Sequence, residues 1–190
     1  MKILEICRFF FRYLRNPSGV GAVCPSSRFL ARKMVGSAKG VVGKNDVVVE
    51  LGSGTGAITE FILSELNSNF KKLYCVEFDS HCTQVLAEKF PEAEIVNDSA
   101  ENIVKILGDD IKDLKCVISS LPLLSLPEES VDNILQAVET SLPKGGLFVQ
   151  FTYNLVKSPV DDKLKNMRKL SRSFVFANLP PARVDVFVRQ

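Results

Sequence analysis

The stretch VVVELGSGTGAITE, residues 47 to 60, confines what this chain can fold into more than any other segment. Three β-branched residues and an acidic side chain make a short buried strand. Glycines at positions 52, 54 and 56 then make a sharp turn, and a helical pattern begins at once. A strand that feeds a helix through such a turn is the opening half of a βαβ unit, and the turn lies at the carboxyl edge of a parallel sheet, where open α/β folds bind their ligands. Further apolar runs at 73–77, 93–96, 115–120 and 146–151 alternate with helical spacing at 57–66, 80–89, 99–107 and 129–142. The alternation predicts a mostly parallel sheet with helices on both faces. The tail, SFVFANLPPARVDVFVRQ, has two apolar runs around Asn178, Pro180 and Pro181 and no room for a crossover helix, so the sheet is predicted to reach seven strands and to end in an antiparallel hairpin. A chain of 190 residues accommodates this as one domain, with no repeat or linker to divide it.

The turn discriminates between nucleotide ligands. Dinucleotide folds use G-x-G-x-x-G, with a helix N-terminus facing a pyrophosphate. Here the pattern is E-x-G-x-G-x-G, and the carboxylate of Glu50 just before the turn repels a pyrophosphate and suits a cation. S-adenosylmethionine, with its sulfonium and α-ammonium groups, has that charge. The glycine pattern resembles the first motif of the Rossmann-like methyltransferases, and two further acids fall where that cofactor needs them. Glu77 ends the second strand, in reach of both ribose hydroxyls, and Asp98 follows the third, where it can accept from the adenine amine.

The fourth strand runs into ISSLPLLSLPEE. Amino-group methyltransferases of the adenine type carry Asn-Pro-Pro-Tyr or Asn-Leu-Pro-Tyr at this place. Ser120-Leu121-Pro122-Leu123 keeps the shape but loses the amide and the aromatic platform on which a base would stack. Leu121, Leu123, Leu124 and Leu126 either line an apolar rim to the site or cap the sheet core.

Charge is unevenly placed: nine of the 24 basic residues and only one of the 22 acidic ones lie in residues 1 to 45. On a helical wheel of the first fifteen residues, Ile3, Leu4, Ile6, Cys7, Phe10, Phe11, Tyr13 and Leu14 fill one half, while Lys2, Glu5, Arg8, Arg12 and Arg15 fill the other and only Phe9 is misplaced. This N-terminal amphipathic helix either docks on an anionic membrane surface or packs on its own domain, residues 17–190. No apolar run is long enough to span a bilayer. Five cysteines without a C-x-x-C pair read as buried thiols of a reducing, cytoplasmic compartment, and no metal site is expected.

Taken together, RNPSGVGAVCPSSRFLARKMV, VVVELGSGTGAITE, SSLPLLSLP, GGLFVQFTY and NLPPARV resemble the small bacterial phospholipid N-methyltransferases. The likeness runs from about residue 10 to the C-terminus. It implies a single Rossmann-like, class I S-adenosylmethionine-dependent methyltransferase domain, related to the rRNA adenine dimethyltransferases, that methylates a phospholipid amine, phosphatidylethanolamine toward phosphatidylcholine. Ornithine lipid N-methylation and RNA adenine N6-methylation are the alternatives. The resemblance implies a cofactor pocket from Glu50, Gly52, Ser53, Gly54 and Gly56, then Glu77 and Phe78, then Asp98, Ser99 and Ala100, closed by Ser27 and Phe29. Ser120, the Leu121 carbonyl and Tyr153 are the candidate catalytic groups that orient the amine. Arg28 and Arg183 are candidates for the lipid phosphate, or else ordinary solvated charges. The enzyme so implied is cytoplasmic, peripheral to the inner face of the membrane, and binds no nucleic acid.

Overall fold

The computed structural model describes residues 25–67, 69–156, 158 and 160–190, and the N-terminal amphipathic segment lies outside them. The elements in order are α1 (Pro25–Gly36), β1 (Val47–Leu51), α2 (Thr59–Glu65), β2 (Lys72–Glu77), α3 (Ser80–Lys89), β3 (Glu94–Asn97), α4 (Ile103–Leu107), β4 (Leu114–Ser119), α5 (Glu128–Ser141), β5 (Leu147–Thr152), β6 (Met167–Val175) and β7 (Ala182–Arg189). One seven-stranded sheet runs in the order β3-β2-β1-β4-β5-β7-β6. The pairs from β3 to β5 are all parallel, and β7 runs antiparallel to both β5 and β6. The sheet is therefore the predicted one: mostly parallel, closed by a C-terminal hairpin.

Two apolar layers sandwich it. On one face Leu30, Met34 and Val35 of α1 and Ile62 of α2 pack on Val48, Cys116, Val149 and Val186. On the other, Ile103 and Leu107 of α4 and Val131, Ile134, Leu135 and Val138 of α5 pack on Val49, Leu51, Val117, Phe148 and Phe187. The α5 residues recur at the three- and four-residue spacing of one helix face. All five positions of β1 are buried, because helices cover both sides of this central strand.

Some elements differ from the sequence reading. The segment 99–107 divides into a 3₁₀ turn, Ala100–Asn102, and α4. Strand β6 starts at Met167, well ahead of the apolar run in the tail. Its first half, Arg168 to Arg172, is largely polar and exposed, because an edge strand has neither face fully covered and shows no apolar run.

The hairpin is held by a buried ion pair. Arg183 and Asp185 are 0% and 1% exposed, and Arg183 Nη2 and Nε donate to Asp185 Oδ2 at 2.7 and 3.0 Å. Arg183 Nη1 also donates to the Leu155 carbonyl at 3.1 Å, and Arg172 Nε donates to Asp185 Oδ1 at 3.2 Å, so the pair ties the loop after β5 to both strands of the hairpin. Removing one partner of a buried pair leaves an uncompensated charge in a low-dielectric interior. Asp185→Asn is accordingly expected to lower stability by about 3–5 kcal/mol in denaturant titration, and replacing both partners with apolar residues to recover most of that loss.

Candidate active site

The strand order reverses between β1 and β4, and this is the crevice at which open α/β sheets bind ligands. Two turns leave the carboxyl ends of these strands and meet there. Ser120 N donates to the Leu51 carbonyl at 2.8 Å, and Gly52 N to the Val76 carbonyl at 2.8 Å. A Cβ on Gly52 would lie 2.8 Å from Leu121 Cδ2, and Gly52 has φ +73°, so both contact and conformation require glycine. Gly56 (φ +92°) faces the Phe90 ring, where a Cβ would come within 2.1 Å of Cε2. Gly54 is different: its φ is +56° and a Cβ there would meet no atom within 4 Å. Gly52 and Gly56 serve packing, while Gly54 opens onto free space.

Glu50 is wholly buried beneath this turn. Its Oε2 accepts from Thr59 Oγ1 at 2.6 Å, and Oε1 has no hydrogen-bond partner among the described residues. Ser53, also buried, has its Oγ 3.5 Å from the Glu50 carbonyl. Burial pushes the Glu50 carboxyl up to about 7, against the lowering by Thr59 and Cys75. An ionised Glu50 thus lacks a counter-charge, and an orphaned carboxylate oxygen beside a glycine turn suits a cationic ligand.

At the next strand end Glu77 Oε2 accepts from Gly54 N at 2.9 Å and Oε1 from Asp79 N at 2.9 Å. Each oxygen keeps a further lone pair for a hydroxyl donor. Asn97 Nδ2 donates to the carbonyls of Glu77 and Phe78 at 3.0 and 2.9 Å, which shapes this loop and leaves the Phe78 ring 79% exposed. Asn97 was not among the residues picked out from the sequence, since a polar residue at the end of an edge strand reads as ordinary surface. Asp98 Oδ1 accepts from Asn102 Nδ2 and from Ser99 N, and these bonds hold its carboxyl below the ordinary carboxylate range. Ser99 caps the following 3₁₀ turn, and Ala100 is buried under it.

No family model matches the chain. In sequence it is 28% identical over 149 residues to the ornithine lipid N-methyltransferase of Singulisphaera acidiphila, an alignment covering 76% of each chain. It is 49% identical over 49 residues to a ribosomal RNA small subunit methyltransferase A of a Sulfurihydrogenibium species, covering 26% of this chain and 18% of that one. In structure it is similar to the magnesium protoporphyrin IX methyltransferase of Synechocystis with bound S-adenosylmethionine, at TM-score 0.67, 12% identity, and 100% and 98% coverage of the two chains. The chain has the fold of the class I S-adenosylmethionine-dependent methyltransferases.

The acceptor side of the site departs from the sequence reading. The Leu121 carbonyl accepts from Leu123 N at 3.0 Å and from Gln150 Nε2 at 3.0 Å. Both of its lone pairs are engaged, so it is not the amine acceptor predicted from the motif. Ser120 Oγ, in contrast, is buried without a hydrogen-bond partner among the described residues. Tyr153 sets its ring edge-on to Phe151, with centroids 5.3 Å apart, and belongs largely to the core layer that holds α1. Leu123 is core, while Leu121 and Leu126 pack half-buried against the same layer, so the leucines divide between capping the core and bordering the site.

Arg183 is a second correction. A guanidinium with no exposed surface, committed to Asp185, has no face to offer a lipid phosphate. From sequence it stood after NLPPA in an apparent loop, and its burial came from the insertion of β7 between β5 and β6. Arg28 and Phe29 are exposed on the outer side of α1, whose inner side, Leu30, Ala31, Met34 and Val35, is core. The side chain of Ser27 lies outside the described residues.

Two outcomes test the cofactor side. Because folding raises the Glu50 pKa above its usual 4.5, the folded state binds this proton more tightly than the unfolded chain, and that stabilisation, full below about 4.5, is lost as pH rises toward 7. Thermal melts of the cofactor-free wild type should lose about 3 kcal/mol of stability across that window, whereas Glu50→Gln should be nearly flat and bind S-adenosylmethionine more weakly in calorimetry. Of the glycines, Gly56→Ala should destabilise by more than about 2 kcal/mol through the Phe90 clash and the left-handed backbone. Gly54→Ala should cost about 1 kcal/mol in stability but weaken the cofactor about tenfold or more, since its methyl group intrudes on open space rather than on packed atoms.

Proposed function

We propose that this methyltransferase transfers a methyl group to the primary amine of a membrane lipid head group. The observation that carries the reading is the sequence likeness, along three quarters of both chains, to an ornithine lipid N-methyltransferase. That likeness favours ornithine lipid over phosphatidylethanolamine, the head group read from the motifs. Both present a primary amine near an interfacial anion. The acceptor turn supports the lipid reading, since Ser120-Leu121-Pro122-Leu123 lacks the aromatic platform for a base and is bordered by leucines.

The carboxyl-edge surface supports it too. Phe174 and Phe176 stack with centroids 5.9 Å apart near the tip of the β6–β7 hairpin, and Phe176, Leu179 and Val156 are 73%, 78% and 86% exposed. The register Thr152↔Arg183 and Val175↔Ala182 puts this tip at the same sheet edge as the acceptor turn. An apolar corner there suits an acyl boundary better than open water. In this reading the amphipathic segment 1–16 adds a reversible, charge-dependent grip on the inner membrane face, with Arg8, Arg12 and Arg15 toward anionic phosphates, and Arg28 remains the candidate for the interfacial anion of the substrate lipid, a carboxylate in ornithine lipid and a phosphate in phosphatidylethanolamine.

The chain's own contribution to the chemistry is alignment. S-adenosylmethionine, when bound, supplies a methyl group on a sulfonium: the amine lone pair forms the new N–C bond, the C–S pair returns to sulfur, and an N–H proton departs to water. The acceptor amine, with a pKa near 10 in water, must first lose a proton, and burial at the end of β4 favours its neutral form. Glu50, Glu77 and Asp98 hold charge and hydrogen-bond acceptors on one side of the switch point, and the Ser120 turn holds the amine on the other. Holding the reacting atoms in line is then worth most of the acceleration.

The test supplies labelled S-adenosylmethionine with vesicles of ornithine lipid, vesicles of phosphatidylethanolamine, or ribosomal RNA. Label should enter the lipid fraction, ornithine lipid foremost. Label confined to RNA would replace the lipid reading with that of a ribosomal RNA methyltransferase, the activity named for the relative that matches a quarter of this chain.

A further inference from the structure

The adenine-type motif holds its amine with a side-chain amide at the position of Ser120, which a serine hydroxyl only partly replaces. The structure carries a buried amide close by, on the neighbouring strand. Gln150 of β5 is 2% exposed and sits in register with Ser119. Its Nε2 donates to the Leu121 carbonyl at 3.0 Å and to the Phe151 carbonyl at 2.7 Å. Two carbonyl oxygens fix which end of the amide is nitrogen, because a flipped amide would set oxygen against oxygen. The orientation leaves Oε1 buried with no hydrogen-bond partner among the described residues.

Such an orphan is costly in a folded chain unless a donor reaches it. Glu50 Oε1 and Ser120 Oγ are orphaned in the same way, and all three stand at the carboxyl ends of the adjacent strands β1, β4 and β5. The first belongs to a carboxyl group and suits a cation. The other two are uncharged acceptors, one on the side chain that binds the Leu121 carbonyl and one on the residue just before Leu121.

We propose that Gln150 is the amide of the acceptor site: its Oε1, together with Ser120 Oγ, accepts the N–H bonds of the substrate amine, while its NH₂ group pins the Leu121 turn. The inference rests on the lipid-amine reading above. A neutral primary amine has two N–H bonds and one lone pair. Two fixed acceptors occupy the hydrogens and leave the lone pair for the methyl carbon. Each methyl added replaces one N–H, so the monomethylated head group engages one acceptor and the dimethylated one neither. Gln150 therefore matters most for the first transfer and least for the third.

The experiment compares wild type with Gln150→Met on head groups bearing zero, one and two methyl groups, presented in the same vesicles, alongside calorimetric titration of S-adenosylmethionine and a thermal melt. The proposal expects kcat/KM to fall about tenfold or more for the unmethylated amine and less than about threefold for the dimethylated one, with cofactor affinity within about twofold of wild type. Equal losses on all three head groups would mean that Gln150 only braces the fold, and would overturn the inference while leaving the lipid reading intact. Failure of the wild type to methylate any of the three head groups would remove the lipid reading and this inference together. Should Gln150→Met not fold or not bind cofactor, Gln150→Asn, which keeps an amide but withdraws it by one methylene, is read by the same ratio.

Discussion

The close approach of Gly52 to Leu121 is the contact on which the rest of the molecule depends. It joins the turn after β1 to the turn after β4 across the one place where the strand order reverses, and a Cβ at position 52 would press on the Leu121 side chain. The candidate cofactor residues follow from the first turn and the candidate acceptor residues from the second. In the proposed transfer, the methyl donor and the amine meet across these two turns. The Ser120 N to Leu51 carbonyl bond locks the contact from below, and Phe90 pressed on Gly56 fixes α3 against it from the side.

Around that contact the chain tolerates local cost. A carboxyl group under a buried strand, with one oxygen unpartnered, opposes folding once it ionises, and Thr59 offsets only part of the burial. The buried hydroxyl of Ser120 and the buried amide oxygen of Gln150 add to it. Other buried groups are bonded: Arg183 and Asp185 to each other, and Ser119 Oγ to Leu121 N, from which it accepts. Unsatisfied groups gathered at one edge of a sheet whose other buried charges are paired are the physical mark of a binding site.

How far the sequence could be read varied with the kind of signal. Strand β1 and helix α3 have the bounds their patterns predict, and the other parallel strands deviate by a residue or so, because a run of buried apolar residues between breakers is a local property. The polar half of β6 escaped, as did Asn97 and Gln150. Gln150 did leave a trace, a lone amide inside the apolar run GLFVQF, but an apolar strand with one polar residue does not say whether that residue meets water, a carbonyl or a ligand. Arg183 reads in the sequence as a candidate for the lipid phosphate or as a solvated charge, and both readings place it at the surface. The misreading has a clear cause: a hairpin predicted at the end of the sheet places its strands beside β5 without saying which of them is inner.

What the sequence by itself determined was the alternation of strands and helices, the glycine turn with its strand-end acids, and so the class of cofactor, since a carboxylate in that turn admits a cation and repels a pyrophosphate. Only the tertiary structure decided which hydrogen-bond acceptors remain free at the end of β4. Lone pairs on the Leu121 carbonyl were consumed by Leu123 and Gln150, one a neighbour in sequence and the other from the next strand. Hydrogen-bond saturation is a property of atoms that meet in space, and strand pairing, not spacing along the chain, settles which atoms those are.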